Sequence, residues 1–311
     1  RETLDKEIAT MLSFDVKVHK GINIGKDISI VDLKNRFDAV YIAIGAQIDK
    51  KIGIIGEEGE GVVSAVDILR DYGDEKYHDF NGKNILVLGG GNVAIDVART
   101  AIRSGANKAD IVYRRRKADM PAMKEEVEAA VAEGCEIYEL SLPLSIERDE
   151  EGKVNGLVVK PQIVGSMDNG RPATRDAKEL PINIPCDMVV IAIGQGIESK
   201  DFEKDGIPVR RGVIDALASA GVVDIPGVFA GGDCISGPAT VIQAIAAGKA
   251  AAANIDNYLG FHHVIETPVK VPDPRLSDRV PCGRVTMKER PADERVNDFL
   301  LSELGMSLQD A

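Results

Sequence analysis

The chain of 311 residues is longer than one hydrophobic core usually organises, so two domains are expected, one of them open to being discontinuous. Its 38 Lys and Arg against 50 Asp and Glu give a net charge of −12, an acidic surface that repels nucleic-acid backbones and anionic lipid. No run of about 18 apolar residues offers a membrane-spanning helix, and no signal-peptide pattern follows Arg1, so a cytoplasmic location and a start inside a longer polypeptide are expected.

Residues 3–13 place Leu4, Ile8, Met11 and Leu12 at helical spacing, and 16–19 read as a short strand. DAVYIAIG, residues 38–45, is a continuous apolar run ending in glycine, the pattern of a strand buried on both faces. A helix is predicted over 64–72 and a charged connection between domains over 73–82. A βαβ unit follows: a strand over 83–88, a helix over 92–104 and a second strand over 109–113. Pro121 is placed to open another helix that Gly134 ends, ahead of a strand over 135–140.

Between 143 and 185 the texture turns β-rich, broken by turn residues at 149–152 and 168–170 as in hairpins. DMVVIAIG, residues 187–194, repeats the pattern of 38–45, which suggests two related nucleotide-binding lobes rather than a solenoid. Residues 222–234 bring a strand into a glycine turn, an alanine-rich helix spans 241–258, and one helix is expected over 293–304 of the charged tail. The fold class is therefore α/β with parallel sheets.

The sharpest local signal is G-x-G-x-x-A at Gly89, Gly91 and Ala94, because it follows a strand and opens a helix. Glycines let the backbone approach a pyrophosphate, and free N–H groups at the helix start attract the anion; a plain glycine turn is the bland alternative. Arg114, Arg115 and Arg116 stand about 25 positions after Gly89, where an NAD site would carry an acid on the ribose 2′-hydroxyl. Guanidinium groups there suit the 2′-phosphate of NADP(H), so losing Arg115 or a neighbour is expected to weaken NADPH more than NADH. A solvated basic turn remains the other reading. Asp233, after Gly231 and Gly232, either accepts a hydrogen bond from a sugar-alcohol hydroxyl or closes a structural Asx turn.

Cys135, Cys186, Cys234 and Cys282 stand alone, with no C-x-x-C and no metal-ligand spacing, which disfavours a disulfide reductase. His19, His78, His262 and His263 accompany no Ser or Cys nucleophile in the sequence pattern, so no catalytic side chain and no metal ligand is nominated.

GGGNVAID (89–96), VYRRRKADMPA (112–122), the paired AIG turns, GVFAGGDC (227–234) and MKERPADERVNDF (287–299) occur in one order. In that combination the chain resembles the NADPH-dependent glutamate synthase small (beta) subunit family, within the flavoproteins that carry two dinucleotide-binding domains. The resemblance implies two Rossmann-like domains, with the NADP domain inserted in a discontinuous and here incomplete FAD domain. The expected boundaries are 1–75 for part of the FAD domain, 76–200 for the NADP(H) domain, 201–262 for the FAD return segment and 263–311 for a tail.

The same resemblance implies that Gly89, Gly90, Gly91, Asn92 and Val93 hold the pyrophosphate, that Arg114 to Arg116 hold the 2′-phosphate, and that Gly194 and Gln195 line the nicotinamide side. It further implies Asp233, after Gly232, on the FAD ribityl chain, Ala239, Thr240 and Val241 opening the helix that faces the flavin, and Gly45 at a flavin-side crossover. Hydride would pass from NADPH to FAD, and electrons onward to an iron–sulphur domain or a larger catalytic subunit of the glutamate synthase type. The same module in another flavin-based complex such as a ferredoxin:NADP⁺ oxidoreductase is a second reading, and a flavin-free nucleotide-binding fragment a third. Relatives of this family carry an iron–sulphur domain and a first FAD-binding unit ahead of the segment that Arg1 begins, and are expected to continue past Ala311.

Overall fold

The structure, a computed structural model, describes residues 2–168, 171–264, 270, 272–273, 283 and 285–309. The chain divides into two compact units, 1–46 with 197–266 and 47–196 with 267–311, so the second interrupts the first in sequence. No helix among the described residues is long and apolar enough to cross a membrane.

The second unit is built on five parallel strands in the order Val62–Ser64, Met188–Ile191, Asn84–Leu88, Lys108–Val112, Ile137–Tyr138. NILVL (84–88) occupies the middle because a strand covered on both faces needs apolar residues at consecutive positions. Ile85 and Val87 point into one cluster with Ile95, Ala98 and Ala101 of the helix Asn92–Arg103, whereas Leu86 and Leu88 point into another with Ile146, Leu157 and Val159. Each of the buried Val, Leu and Ile side chains among these stabilises the fold by roughly 1.5–3 kcal/mol.

The second cover is an antiparallel sheet of Ser141–Arg148, Val154–Asp168, Arg171–Asp176 and Ile182–Ile184. It corresponds to the hairpins expected between 143 and 185. The five-stranded parallel sheet, with helices on one face and the antiparallel sheet on the other, is Rossmann-like.

The first unit holds a parallel pair, Val40–Ile42 with Val228–Ala230, packed with Ile30, Phe202, Ile207 and Ile214. Its helices Ile30–Arg36 and Val241–Tyr258 each begin with a capping box, Ser29 with Asp32 and Thr240 with Gln243. The helix over 241–258 has the predicted bounds.

Several expectations are corrected. Residues 16–19 alternate like a strand but are exposed and pair with nothing among the described residues, and an unpaired strand leaves its ladder unmade. The helix expected from Pro121 begins at Lys124, since the Ala122 amide donates to Gly90 O (3.1 Å) and the Met123 amide to Asn92 Oδ1 (3.0 Å), holding the backbone out of helical register. The helix expected over 293–304 is only Ala292–Arg295. Beyond it the chain folds back, with Arg290 N on Ser302 O and Leu304 N on Lys288 O, both 2.8 Å.

The unit boundary falls after residue 46 rather than 75, because Val62–Ser64 joins the five-stranded sheet and Ala65 and Ile68 of the next helix enter its core. The segment 73–82 therefore lies inside the second unit. The described tail belongs to that unit as well. Arg99, Arg103 and Arg295 all converge on the fully buried Glu133 carboxylate, at 2.8, 3.0 and 2.7 Å. Burial alone would raise this carboxyl, but hydrogen bonds and charge from Arg99 and Arg103 hold it below the usual carboxylate range.

Candidate functional site

From Asn84–Leu88 the chain crosses through the helix Asn92–Arg103 to Lys108–Val112 on one side, while Met188–Ile191 lies on the other. The carboxyl end of the central strand is thus a topological switch point, where an open α/β sheet forms its ligand crevice. The glycine turn occupies that end. A Cβ at residue 89 would drive into the Ala192 carbonyl, 2.9 Å from its carbon, so only glycine lets the two strand ends close. At Gly90 a Cβ would meet the Tyr113 ring at 2.5 Å, and at Gly91 it would meet nothing within 4 Å. The first two glycines are filled spaces, and the third faces an open one.

Gly91 is also the N-cap of the 12-residue helix Asn92–Arg103, and no side chain caps it. The first four N–H groups of a helix have no intrahelical acceptor, and their dipoles sum to a partial positive charge at this end. No acidic residue stands in the first turn to satisfy or neutralise them. The Asn92 side chain turns instead to the Met123 amide, and Val93 is half-buried beneath the turn. The arrangement presents amide hydrogens to an anion.

The three arginines at the end of Lys108–Val112 are not equivalent. Arg116 makes a two-pronged pair with Asp119, Nε to Oδ2 at 2.7 Å and Nη2 to Oδ1 at 2.9 Å. That hydrogen bonding raises Arg116 and lowers Asp119 from their ordinary values. Arg115 is half-buried and donates from Nε to Pro172 O at 3.1 Å. Arg114 is exposed and, among the described residues, its guanidinium has no hydrogen-bond or ion-pair partner. The sequence offered Arg115 or a neighbour as the test position; of the three, Arg115 and Arg116 have partners and Arg114 has none among the described residues.

Gly194 lies two positions past Ala192 and is exposed, with only Lys50 Cδ at 3.9 Å near the place a Cβ would take. Gln195 and Gly196 pair with Asp49 and Ile48 in a short antiparallel ladder that fixes this turn. In the first unit, Ile42 and Ala230 are direct partners, so the turns that follow them, containing Gly45 and Gly232, leave the same end of the strand pair. Gly231 N donates to Ile42 O at 3.1 Å and ties these turns together. Asp233 is half-buried, and among the described residues its carboxylate accepts no hydrogen bond, so the Asx turn weighed from sequence is not formed. Ala239, Thr240 and Val241 are exposed at the start of the 18-residue helix, whose first turn Thr240 already caps.

Sequence reasoning missed Tyr113 and Asp119. The Tyr113 ring fills the space beside Gly90, and its hydroxyl donates to Asp119 O at 3.1 Å. An acid three residues after an arginine in a tight loop was the available signal for the Arg116 pair. The described cysteines are free and buried, and burial pushes the Cys135 and Cys186 thiols up to about 12, so neither is a thiolate near neutral pH. Cys282 lies outside the described residues.

A family model described as pyridine nucleotide-disulphide oxidoreductase matches residues 4–248. The chain is 35% identical over 314 aligned positions to the NADP(+)-dependent formate dehydrogenase subunit beta of Moorella thermoacetica, covering 96% of this chain and 44% of that protein. It is 31% identical to the glutamate synthase [NADPH] small chain of Escherichia coli, covering 83% and 57%. Among solved structures, Mycobacterium tuberculosis FprA in complex with NADPH superposes with a TM-score of 0.64 at 22% identity, over 77% of this chain and 67% of that one. The T. acidophilum thioredoxin reductase superposes with a TM-score of 0.55 at 20% identity, over 70% of this chain and 65% of that one. The chain spans about half the length of the curated relatives it matches. By the extent of that family match, and by the Rossmann-like unit with its glycine turn, the chain belongs to the pyridine nucleotide-disulphide oxidoreductase family.

Proposed function

We propose that the chain is the NADPH-binding, flavin-linked part of an electron-transfer oxidoreductase. The observation that carries the reading is the uncapped helix start behind Gly91 together with the unpartnered guanidinium of Arg114 at the end of the next strand. The turn from Gly89 to Val93 would hold the pyrophosphate through the amides of Gly90 to Val93, the Gly89 amide being spent on Val112 O at 3.1 Å, and Arg114 would take the 2′-phosphate while Arg115 and Arg116 frame its loop. Gly194 and Gln195 would line the nicotinamide. In the first unit, Gly45, Gly232, Asp233 and the helix start at Ala239, Thr240 and Val241 would contact FAD, with the free Asp233 carboxylate accepting from a ribityl hydroxyl. When bound, the nicotinamide would supply a hydride and the flavin would pass on its two electrons one at a time, releasing the proton; the protein's task is orientation rather than acid–base chemistry.

The relatives' names support an onward acceptor in another polypeptide, since they are a formate dehydrogenase subunit beta, an NADPH-Fe(3+) oxidoreductase subunit beta and a glutamate synthase small chain. An iron–sulphur domain or a larger catalytic subunit is the partner proposed, and the variety of those names supports one input module serving several acceptors. Exit through a thiol pair is disfavoured by the high, buried Cys135 and Cys186 thiols.

Arg114→Ala tests the reading. Loss of a charge-assisted contact to phosphate removes about 1.5–3 kcal/mol, so the Kd for NADPH is expected to rise roughly 10- to 100-fold. The Kd for NADH, which has no 2′-phosphate, should stay near its starting value in the same calorimetric titration. Equal weakening of both would withdraw the arginine assignment.

A further inference from the structure

Asp119 is anchored from three directions. Its amide donates to Arg116 O at 2.9 Å, its carbonyl accepts from the Tyr113 hydroxyl at 3.1 Å, and its carboxylate takes both prongs of Arg116 at 2.7 and 2.9 Å. Its side chain is only 12% exposed, whereas that of Arg116 is 45% exposed. The loop is stitched to the glycine turn by the two contacts already described, Ala122 N to Gly90 O and Met123 N to Asn92 Oδ1. Lys117 N donates to Glu139 Oε2 at 2.7 Å on the far side. The backbone that carries Arg114 is thereby held at its end by Tyr113, whose ring abuts Gly90, and from below by Asp119.

An aspartate beside a phosphate-reading loop weakens the local positive potential, so on charge alone it opposes the binding proposed for that loop. Its geometry favours the opposite outcome, because a loop of fixed shape presents Arg114 in register and loses less backbone freedom on meeting the ligand than a loose one. We propose that Asp119 is a specificity-positioning residue: by clamping Arg116 with its carboxylate it fixes the loop so that Arg114 meets the 2′-phosphate, and the preference for NADPH over NADH depends on it without direct contact. The proposal rests on the NADPH reading of the same loop.

The test compares Asp119→Ala, the near-isosteric Asp119→Asn and the charge-retaining Asp119→Glu with Arg114→Ala in the full chain. NADPH, NADH and 2′,5′-ADP are titrated by calorimetry, and thermal melting is recorded for each variant. Asp119→Ala and Asp119→Asn should raise the Kd for NADPH and 2′,5′-ADP by roughly tenfold while NADH is unchanged. Asp119→Glu, able to keep a carboxylate on Arg116, should recover part of the loss. An unchanged or tighter Kd for NADPH in Asp119→Asn, or equal weakening of NADPH and NADH, would overturn the proposal. If Arg114→Ala abolishes the preference and the Asp119 variants do not, positioning alone is wrong. If Arg114→Ala also leaves the preference intact, the NADPH reading of the loop fails with it.

Discussion

Gly91→Asp is expected to make the protein more stable and to remove its dinucleotide binding, two effects of opposite sign from one carboxylate. Gly91 caps the helix Asn92–Arg103 with no side-chain hydrogen bond, its φ of −92° and ψ of 175° suit any residue, and a Cβ there meets nothing within 4 Å. An aspartate can therefore enter without strain, accept from the first-turn amides and complement the helix dipole, which stabilises the fold by a few tenths to about 1 kcal/mol. The same carboxylate then occupies the place proposed for the pyrophosphate. A like charge about 4 Å away is worth roughly 4 kcal/mol at an effective dielectric near 20, so the Kd for NADPH should rise on the order of a thousandfold. Melting and calorimetry on one preparation check both halves. A variant that melts higher and still binds NADPH normally would place the nucleotide elsewhere.

Gly89→Ala is expected to have the largest effect on stability. Its Cβ has no room beside the Ala192 carbonyl, which is backbone and cannot rotate away, so relief requires the ends of the adjacent strands Asn84–Leu88 and Met188–Ile191 to separate. Such overpacking costs about 2–4 kcal/mol. At Gly90 the obstacle is the Tyr113 ring, a side chain that yields more readily than backbone, and at Gly91 there is none. Urea unfolding of the three alanine variants should rank the destabilisation Gly89 over Gly90 over Gly91. A Gly91→Ala variant as destabilised as Gly89→Ala would contradict the geometry of the turn.

Much of this arrangement was legible in the residue order. Unbroken apolar runs at 85–88 and 188–191 announced strands covered on both faces, and the strand–glycine–helix succession at 84–103 announced the turn, because such patterns report local chain geometry. The division of labour among Arg114, Arg115 and Arg116 was not legible: it is set by Pro172, distant in sequence, and by the fold of a tight loop around Asp119. The unit boundary after residue 46 was hidden for a similar reason, since Val62–Ser64 earns its place only by pairing with Met188–Ile191, which the chain supplies far later. In the tail, 293–304 has helical spacing, but the Arg290–Asp298 pair and the Arg290 and Leu304 amide contacts fold the backbone back on itself. Helical periodicity is a weak prior that tertiary contacts override.

Amide chemical shifts offer the most direct test of the central claim. In a ¹⁵N-labelled sample titrated with NADPH, the resonances of Gly90, Gly91, Asn92 and Val93 should show the largest movements, with Arg114 responding to NADPH and not to NADH. Binding that leaves those four amides unmoved while perturbing another part of the chain would contradict the account.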